Sequence, residues 1–256
     1  RRRGIEPSEA ELSFEIDNWL RSRDSGLRPF VDHARGRFHE ALQVWADDAR
    51  RRPRDAMPRA RRARALYLSG RLDSARVELI TALRLARAGD ADSIRYSYES
   101  KAAWEFALGR IYEQQDRADS ARAAYERALV EDLGYYPAHV QLGQLRLAAR
   151  DTAGALLELS RAVAVKEDEY MPQLAYGVAL SEAGRLDSAE SHLARAAELE
   201  PWAAMPRLLM GAVRDTRVNR PAAIASYEEY LARAARADAS RPAIESRLAR
   251  LRGADR

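Results

Sequence analysis

The side chains able to move protons or hold a metal are few in this chain, and their spacing is poor for either job. The histidines are His33, His39, His139 and His192, and no two stand at ligand spacing on one helix. His39-Glu40 begins like the helix of a zinc protease but lacks the second histidine. His139 reads as a packed residue. Cysteine is absent, which excludes a disulfide framework, a thiolate nucleophile and cysteine-bound metal. Gly89 to Ser93 is acidic but has too few oxygen ligands for calcium and reads as a loop with a helix cap. No phosphate-binding loop or dinucleotide fingerprint occurs, and the pair Glu228-Glu229 reads as solvated helix surface. No catalytic residue is assigned, and no cofactor or metal is expected.

Charge offers one further candidate. Arg50, Arg51, Arg52, Arg54, Arg59, Arg61, Arg62 and Arg64 form the densest stretch of one sign. Such a run suits an acidic partner or the peripheral touch of an anionic lipid surface. The reading preferred here is a plain arginine-rich surface beside a degenerate repeat. The whole chain is nearly balanced, with 43 basic against 39 acidic residues and a net charge of +4. Only Lys101 and Lys166 are lysines. Basic and acidic residues alternate along the sequence instead of gathering on one face, so nucleic acid is not an expected partner. No run of 18 apolar residues exists to span a membrane. The compartment stays open between the cytoplasm and export after loss of an N-terminal segment, since the chain begins at Arg1 without methionine.

The elements that would position any site announce themselves as repeats. Gly109, Gly143, Gly177 and Gly211 lie 34 residues apart, and so do Ala121, Ala155, Ala189 and Ala223. Tyr125, Leu159, Leu193 and Tyr227 form a third column, and Ala128, Ala162, Ala196 and Tyr230 a fourth. The word Gly70-Arg71-Leu72-Asp73-Ser74-Ala75 returns unchanged from Gly184 to Ala189. Ala41 to Ala75 is again 34, whereas Ala75 to Ala121 is 46, which is 34 plus an insertion of 12. Two antiparallel helices that approach closely need small side chains where they cross, so Gly177 is expected against Ala189 and Ala196. Asp73, Asp119 and Asp187 fall where a second helix starts and are expected to cap it, with Pro221 in the same place of its unit.

These columns resemble the tetratricopeptide repeat, a helical hairpin of this period. Unit 170–203 carries Tyr176, Gly177, Ala189, Leu193, Ala196 and Pro201 at the family's positions, and unit 102–135 carries Leu108, Gly109, Tyr112, Ala121, Tyr125 and Ala128. Arg146, Arg214 and Tyr230 depart from the pattern, as do Arg59, Arg62 and Pro29. The resemblance implies an all-α fold, a right-handed α-solenoid of about six such hairpins with capping helices at both ends. The expected order is a docked N-terminal helix in 1–21, then the solenoid over 22–237, then a capping helix and tail in 238–256. Its units are 22–55, 56–89, 102–135, 136–169, 170–203 and 204–237, with an insertion at 90–101 that would lengthen the following helix and carry Tyr96 and Tyr98.

In this family ligands usually lie on a concave face lined by the first helix of each hairpin. The corresponding residues here are Phe106 and Arg110, then Val140 and Gln144, then Met171, Leu174 and Val178, and finally Met205, Leu208 and Ala212. The C-terminal half is apolar where the family often places polar contacts, so the expected partner is another protein or peptide segment, apolar or helical. The lysine and asparagine set of the two-carboxylate clamp for chaperone tails is missing. The resemblance therefore implies a non-catalytic interaction scaffold: an adaptor, an assembly factor or a subunit of a larger complex. The alternative is a helper region of an enzyme whose catalytic domain lies upstream of Arg1.

Overall fold

The computed structural model describes residues 38–89 and 101–253. Among them are twelve helices and no strand. In order these are α1 (Phe38–Arg51), α2 (Met57–Leu68), α3 (Leu72–Ala88), α4 (Lys101–Gln114), α5 (Ala118–Glu131), α6 (Tyr136–Ala148), α7 (Thr152–Val165), α8 (Tyr170–Glu182), α9 (Leu186–Leu199), α10 (Met205–Thr216), α11 (Arg220–Arg233) and α12 (Arg241–Gly253). The N-terminal docked helix, the first helix of unit 22–55 and the insertion at 90–101 lie outside the described residues, apart from Lys101. The fold is an all-α solenoid of tetratricopeptide-like hairpins.

The chain divides into two compact units, Arg1–Ala124 and Tyr125–Arg256. In the first, α1 packs on α2, α2 on α3, and α3 on α4. Trp45, Leu66, Leu79, Leu83, Trp104 and Ile111 supply its core, with alanines between them. In the second, the hairpins α6–α7, α8–α9 and α10–α11 stack through α7 on α8 and α9 on α10. The first helices also touch each other, α6 to α8 and α8 to α10. The last helix, α12, closes this unit against α11 through Leu248 and Leu251. A bidentate pair from Arg247 Nε and Nη2 to Asp215, at 2.6 and 2.7 Å, fixes it to α10. Hydrogen bonding to Arg247 holds the Asp215 carboxyl below its ordinary range. Burial, with help from the Asp215 charge, pushes the Tyr227 phenol up to about 12.

The glycine column does its work against a different partner from the one expected. A Cβ on Gly177 would sit 2.8 Å from Leu193 Cγ and 3.3 Å from the Leu193 backbone nitrogen. Leu159 stands in the same relation to Gly143, and the Tyr227 ring to Gly211. The large residue of the second helix thus fills the place where the first helix has no side chain. Ala189 and Ala196, the expected partners, are both wholly buried, but the nearest atoms to Gly177 are those of Leu193.

The turn inside each hairpin has its own recurring geometry. Gly70, Asp116, Arg150, Gly184 and Val218 all adopt left-handed backbone, with φ between 56 and 76°. Next in sequence, Arg71, Arg117, Asp151, Arg185 and Asn219 donate backbone N–H to carbonyls of the ending helix at 2.8 to 2.9 Å. This is the pairing by which a helix closes its free carbonyls before the chain reverses. Caps follow their own logic. Asp151 and Asn219 accept from the N–H of Gly154 and Ala222. Asp73 and Asp187 make no cap: Arg71 and Arg185 hold that position, and the aspartates sit in the first turn, where they suit the helix dipole.

A polar column runs through positions where the family pattern has bulky apolar residues. His139 is 2% exposed; its Nδ1 faces Glu158 Oε2 at 2.7 Å and its Nε2 donates to the Leu133 carbonyl at 3.1 Å. One repeat on, Gln173 donates to the Glu167 carbonyl at 2.8 Å and meets His192 Nδ1 at 2.6 Å. Arg207 then donates to the carbonyls of Ala203 and Ala197 at 2.9 and 3.2 Å, and Arg241 to that of Leu231 at 2.9 Å. These four residues share one repeat position, and each ties down carbonyls at the end of the preceding hairpin. That explains how polar side chains are tolerated inside: their donors have fixed acceptors. In the first unit Arg59 stands at the same position and, with Arg62, pairs with Glu78 at 3.1 and 2.6 Å.

Candidate functional site

The face formed by α6, α8 and α10 is the place where the sequence puts a partner. Along each of these helices the relevant side chains recur at helical spacing and project from one side. Proline in the first turn of each, Pro137, Pro172 and Pro206, starts the helix where a missing N–H does no harm. Met171 and Met205 are 43% and 48% exposed, and Gln144 and Ala212 are exposed. Leu174, Val178 and Leu208 are half-buried. Leu174 packs against the cluster of Leu180, Leu193 and Val213, and Leu208 against that of Tyr227, Leu248 and Leu251.

One expected residue drops out. Val140 is 2% exposed and lies in a core with Leu159, Ala162, Ala175 and Ala179, so no partner reaches it. The reason is the close stacking of α6 on α8, which carries Val140 inward. Phe106 and Arg110 lie on α4, in the first unit, both half-buried, and Arg110 Nε faces Glu113 Oε2 at 3.7 Å. The open part of the second unit's face is therefore Met171, Met205, Gln144 and Ala212, with the outer portions of Leu174, Val178 and Leu208 between them.

Four of the eight arginines of the run are engaged within their own unit. Arg50 pairs with Asp47, Arg52 with Asp48 and Asp55, and Arg59 and Arg62 with Glu78. Among the described residues no group of three or more His, Asp or Glu could hold a metal ion. Nor is any described helix long and apolar enough to cross a membrane.

Two features escaped sequence reasoning. The polar column was legible as a 34-residue series, His139, Gln173, Arg207, Arg241, but only if polar residues are counted as readily as glycines. The other is Trp202, in the loop between α9 and α10, which is 89% exposed. Nothing in its neighbours separates it from a tryptophan at the start of a packed helix.

No family model matches the sequence, and no curated protein matches it. Solved structures do. YrrB, described as a TPR protein with an unusual peptide-binding site, superposes with a TM-score of 0.62 at 22% identity, over 81% of this chain and 100% of that one. A chain of the Cut9–Hcn1 hetero-tetramer of the APC/C gives 0.69 at 17% identity, over 95% of this chain and 46% of that one. PilF of Pseudomonas aeruginosa gives 0.63 at 15% identity, over 77% and 83%. With its 34-residue columns, its glycine-to-leucine crossings and these likenesses, the chain has the tetratricopeptide-repeat fold.

Proposed function

We propose that this chain is a non-catalytic protein–protein interaction scaffold, and that the α6–α8–α10 face of its second unit takes an apolar or helical segment of a partner. The observation that carries this reading is the exposure of Met171 and Met205 on adjoining first helices, with Leu174, Val178 and Leu208 between and beside them. Unbranched thioethers adapt to irregular partners, and two of them side by side suit a surface that must receive a helix. Covering the exposed half of each methionine contributes about 1 kcal/mol per residue, half the value for full burial. The buried side chains of His139, Gln173 and Arg207 are engaged in tying hairpins together, which suits a structural role for them. That a protein of the same fold carries a peptide-binding site supports the reading.

The test uses Gln144→Arg with Ala212→Arg, because both positions are exposed and neither packs in the core. The double variant should retain its helicity and lose co-purification of whatever protein the wild-type chain retains. A variant that keeps the same partner at the same yield refutes this face as the site. Leu174→Asp and Leu208→Asp are poorer tools, since both side chains also belong to the packing between helices.

A further inference from the structure

Trp202 is the largest exposed apolar side chain among the described residues and belongs to no core. Three residues later Met205 is 48% exposed, and Met171 is 43% exposed at the matching place on α8. Val165 and Leu133, beside the corresponding turns one and two hairpins earlier, are 42% and 77% exposed. These loops lie side by side at one edge of the second unit. Arg195 on α9 reaches Asp168 in the α7–α8 loop at 2.5 Å, and Arg233 on α11 donates to the Pro201 carbonyl at 3.0 Å. Tyr170, at the start of α8, has its phenol pushed up by burial and further by the Glu200 charge. Tyr136, at the start of α6, is pushed up by burial and by Glu169. Each loop is thus next to the start of the neighbouring first helix.

Charge says what this apolar edge suits. Asp132, Glu167, Glu169 and Glu200 are exposed along it. Its cations are Lys166, Arg195 and Arg233; Arg195 is held by Asp168 and Glu198, and Arg233 by the Pro201 carbonyl and Glu229. An anionic membrane surface would be repelled by such an edge. An arginine or lysine is drawn to it twice, by the carboxylates and by the face of the exposed indole.

We propose that this edge is a second docking surface, for a basic segment of a partner protein in which an arginine or lysine is flanked by an aliphatic residue, with Trp202 as its anchor. It rests on the scaffold reading and borders the α6–α8–α10 face, with which it shares Met171 and Met205. In this arrangement the cation lies over the indole among Glu167, Glu169 and Glu200, and the aliphatic residue covers Met171 and Met205. Tryptophan anchors of this kind dominate protein interfaces because they bring a large rigid apolar area to one spot.

The test is fluorescence anisotropy of a short labelled peptide of alternating arginine and leucine, against a peptide of alternating glutamate and leucine. The basic peptide should bind the full chain, and the acidic one should not. Trp202→Ala should weaken binding by about tenfold or more, as expected for an interface anchor. Glu167→Gln with Glu169→Gln and Glu200→Gln should weaken it and flatten its salt dependence. Gln144→Arg with Ala212→Arg should leave it unchanged. Equal binding of both peptides, or indifference to Trp202→Ala, overturns the proposal. So does loss of binding only in the Gln144/Ala212 variant, an outcome that leaves the scaffold reading standing. Trp202-dependent self-association in sedimentation velocity, or Trp202-dependent binding of phosphatidylglycerol vesicles, also overturns it by naming a different occupant.

Discussion

Val218 stands in the left-handed turn of the third hairpin of the second unit at φ 59°, while Gly184 fills the same place one repeat earlier at φ 72°. The same backbone geometry is therefore made by the worst-suited and the best-suited residue. A side chain in this region costs about 1–2 kcal/mol, and a β-branched one belongs at the upper end. Val218 is 85% exposed, so its removal forfeits almost no packing. Val218→Gly relieves the strain but loosens the unfolded chain by about 0.5–1 kcal/mol, for a net gain of about 1 kcal/mol. The reciprocal change isolates the same quantity. A Cβ at Gly184 meets nothing within 4 Å, so Gly184→Ala acts through φ alone and should cost about 1 kcal/mol. Urea melts followed by far-ultraviolet circular dichroism would read both, as opposite shifts in midpoint at constant slope. A shift of about 2–4 °C in thermal midpoint is the corresponding signal for a unit of this size. If Val218→Gly is destabilising while Gly184→Ala is neutral, the turn does not carry this strain and the argument fails.

Three further outcomes follow from packing and titration. Gly177→Leu should cost about 1–3 kcal/mol by forcing α8 away from Leu193, and an unchanged melting point would show that the crossing is not tight. Glu158→Ala should cost about 1–3 kcal/mol by leaving buried His139 Nδ1 without its partner, whereas replacing both groups together, His139→Phe with Glu158→Leu, should recover most of that loss in urea melts. Burial lowers the His192 pKa below its ordinary 6.5, so the unfolded chain binds the proton more readily. The folded state should then lose stability as pH falls through 6.5, and His192→Gln should remove that part of the slope; an identical slope in the variant would assign it elsewhere.

How much of this was legible in the sequence depends on what each signal measures. The period survived because a helix crossing tolerates few residue types, so glycine and alanine recur where backbones approach. The partner of each glycine was misjudged because a column of small residues shows that something comes close without saying what. Leu159, Leu193 and Tyr227 fill the gap, and their column is visible in the sequence while its pairing with the glycines is not. The role of His139, Gln173 and Arg207 does not show in the sequence because their hydrogen bonds end on carbonyls, and carbonyls have no identity in a sequence. For the candidate site, the family resemblance pointed to Met171 and Met205 on the first helices, and both are exposed there. It misplaced Val140 because burial depends on how closely α6 and α8 stack, which no single helix encodes.

The central claim, that the first helices of the second unit receive a partner, is tested most directly by site-resolved photo-cross-linking. A photoreactive residue is placed in turn at Gln144, Val178 and Ala212 on the first helices, and at Leu157, Ser191 and Ala225 on the second helices, where all three positions are exposed. The account predicts one discrete cross-linked protein from the first set and none from the second. Cross-links arising from Leu157, Ser191 and Ala225 but not from Gln144, Val178 and Ala212 would contradict it.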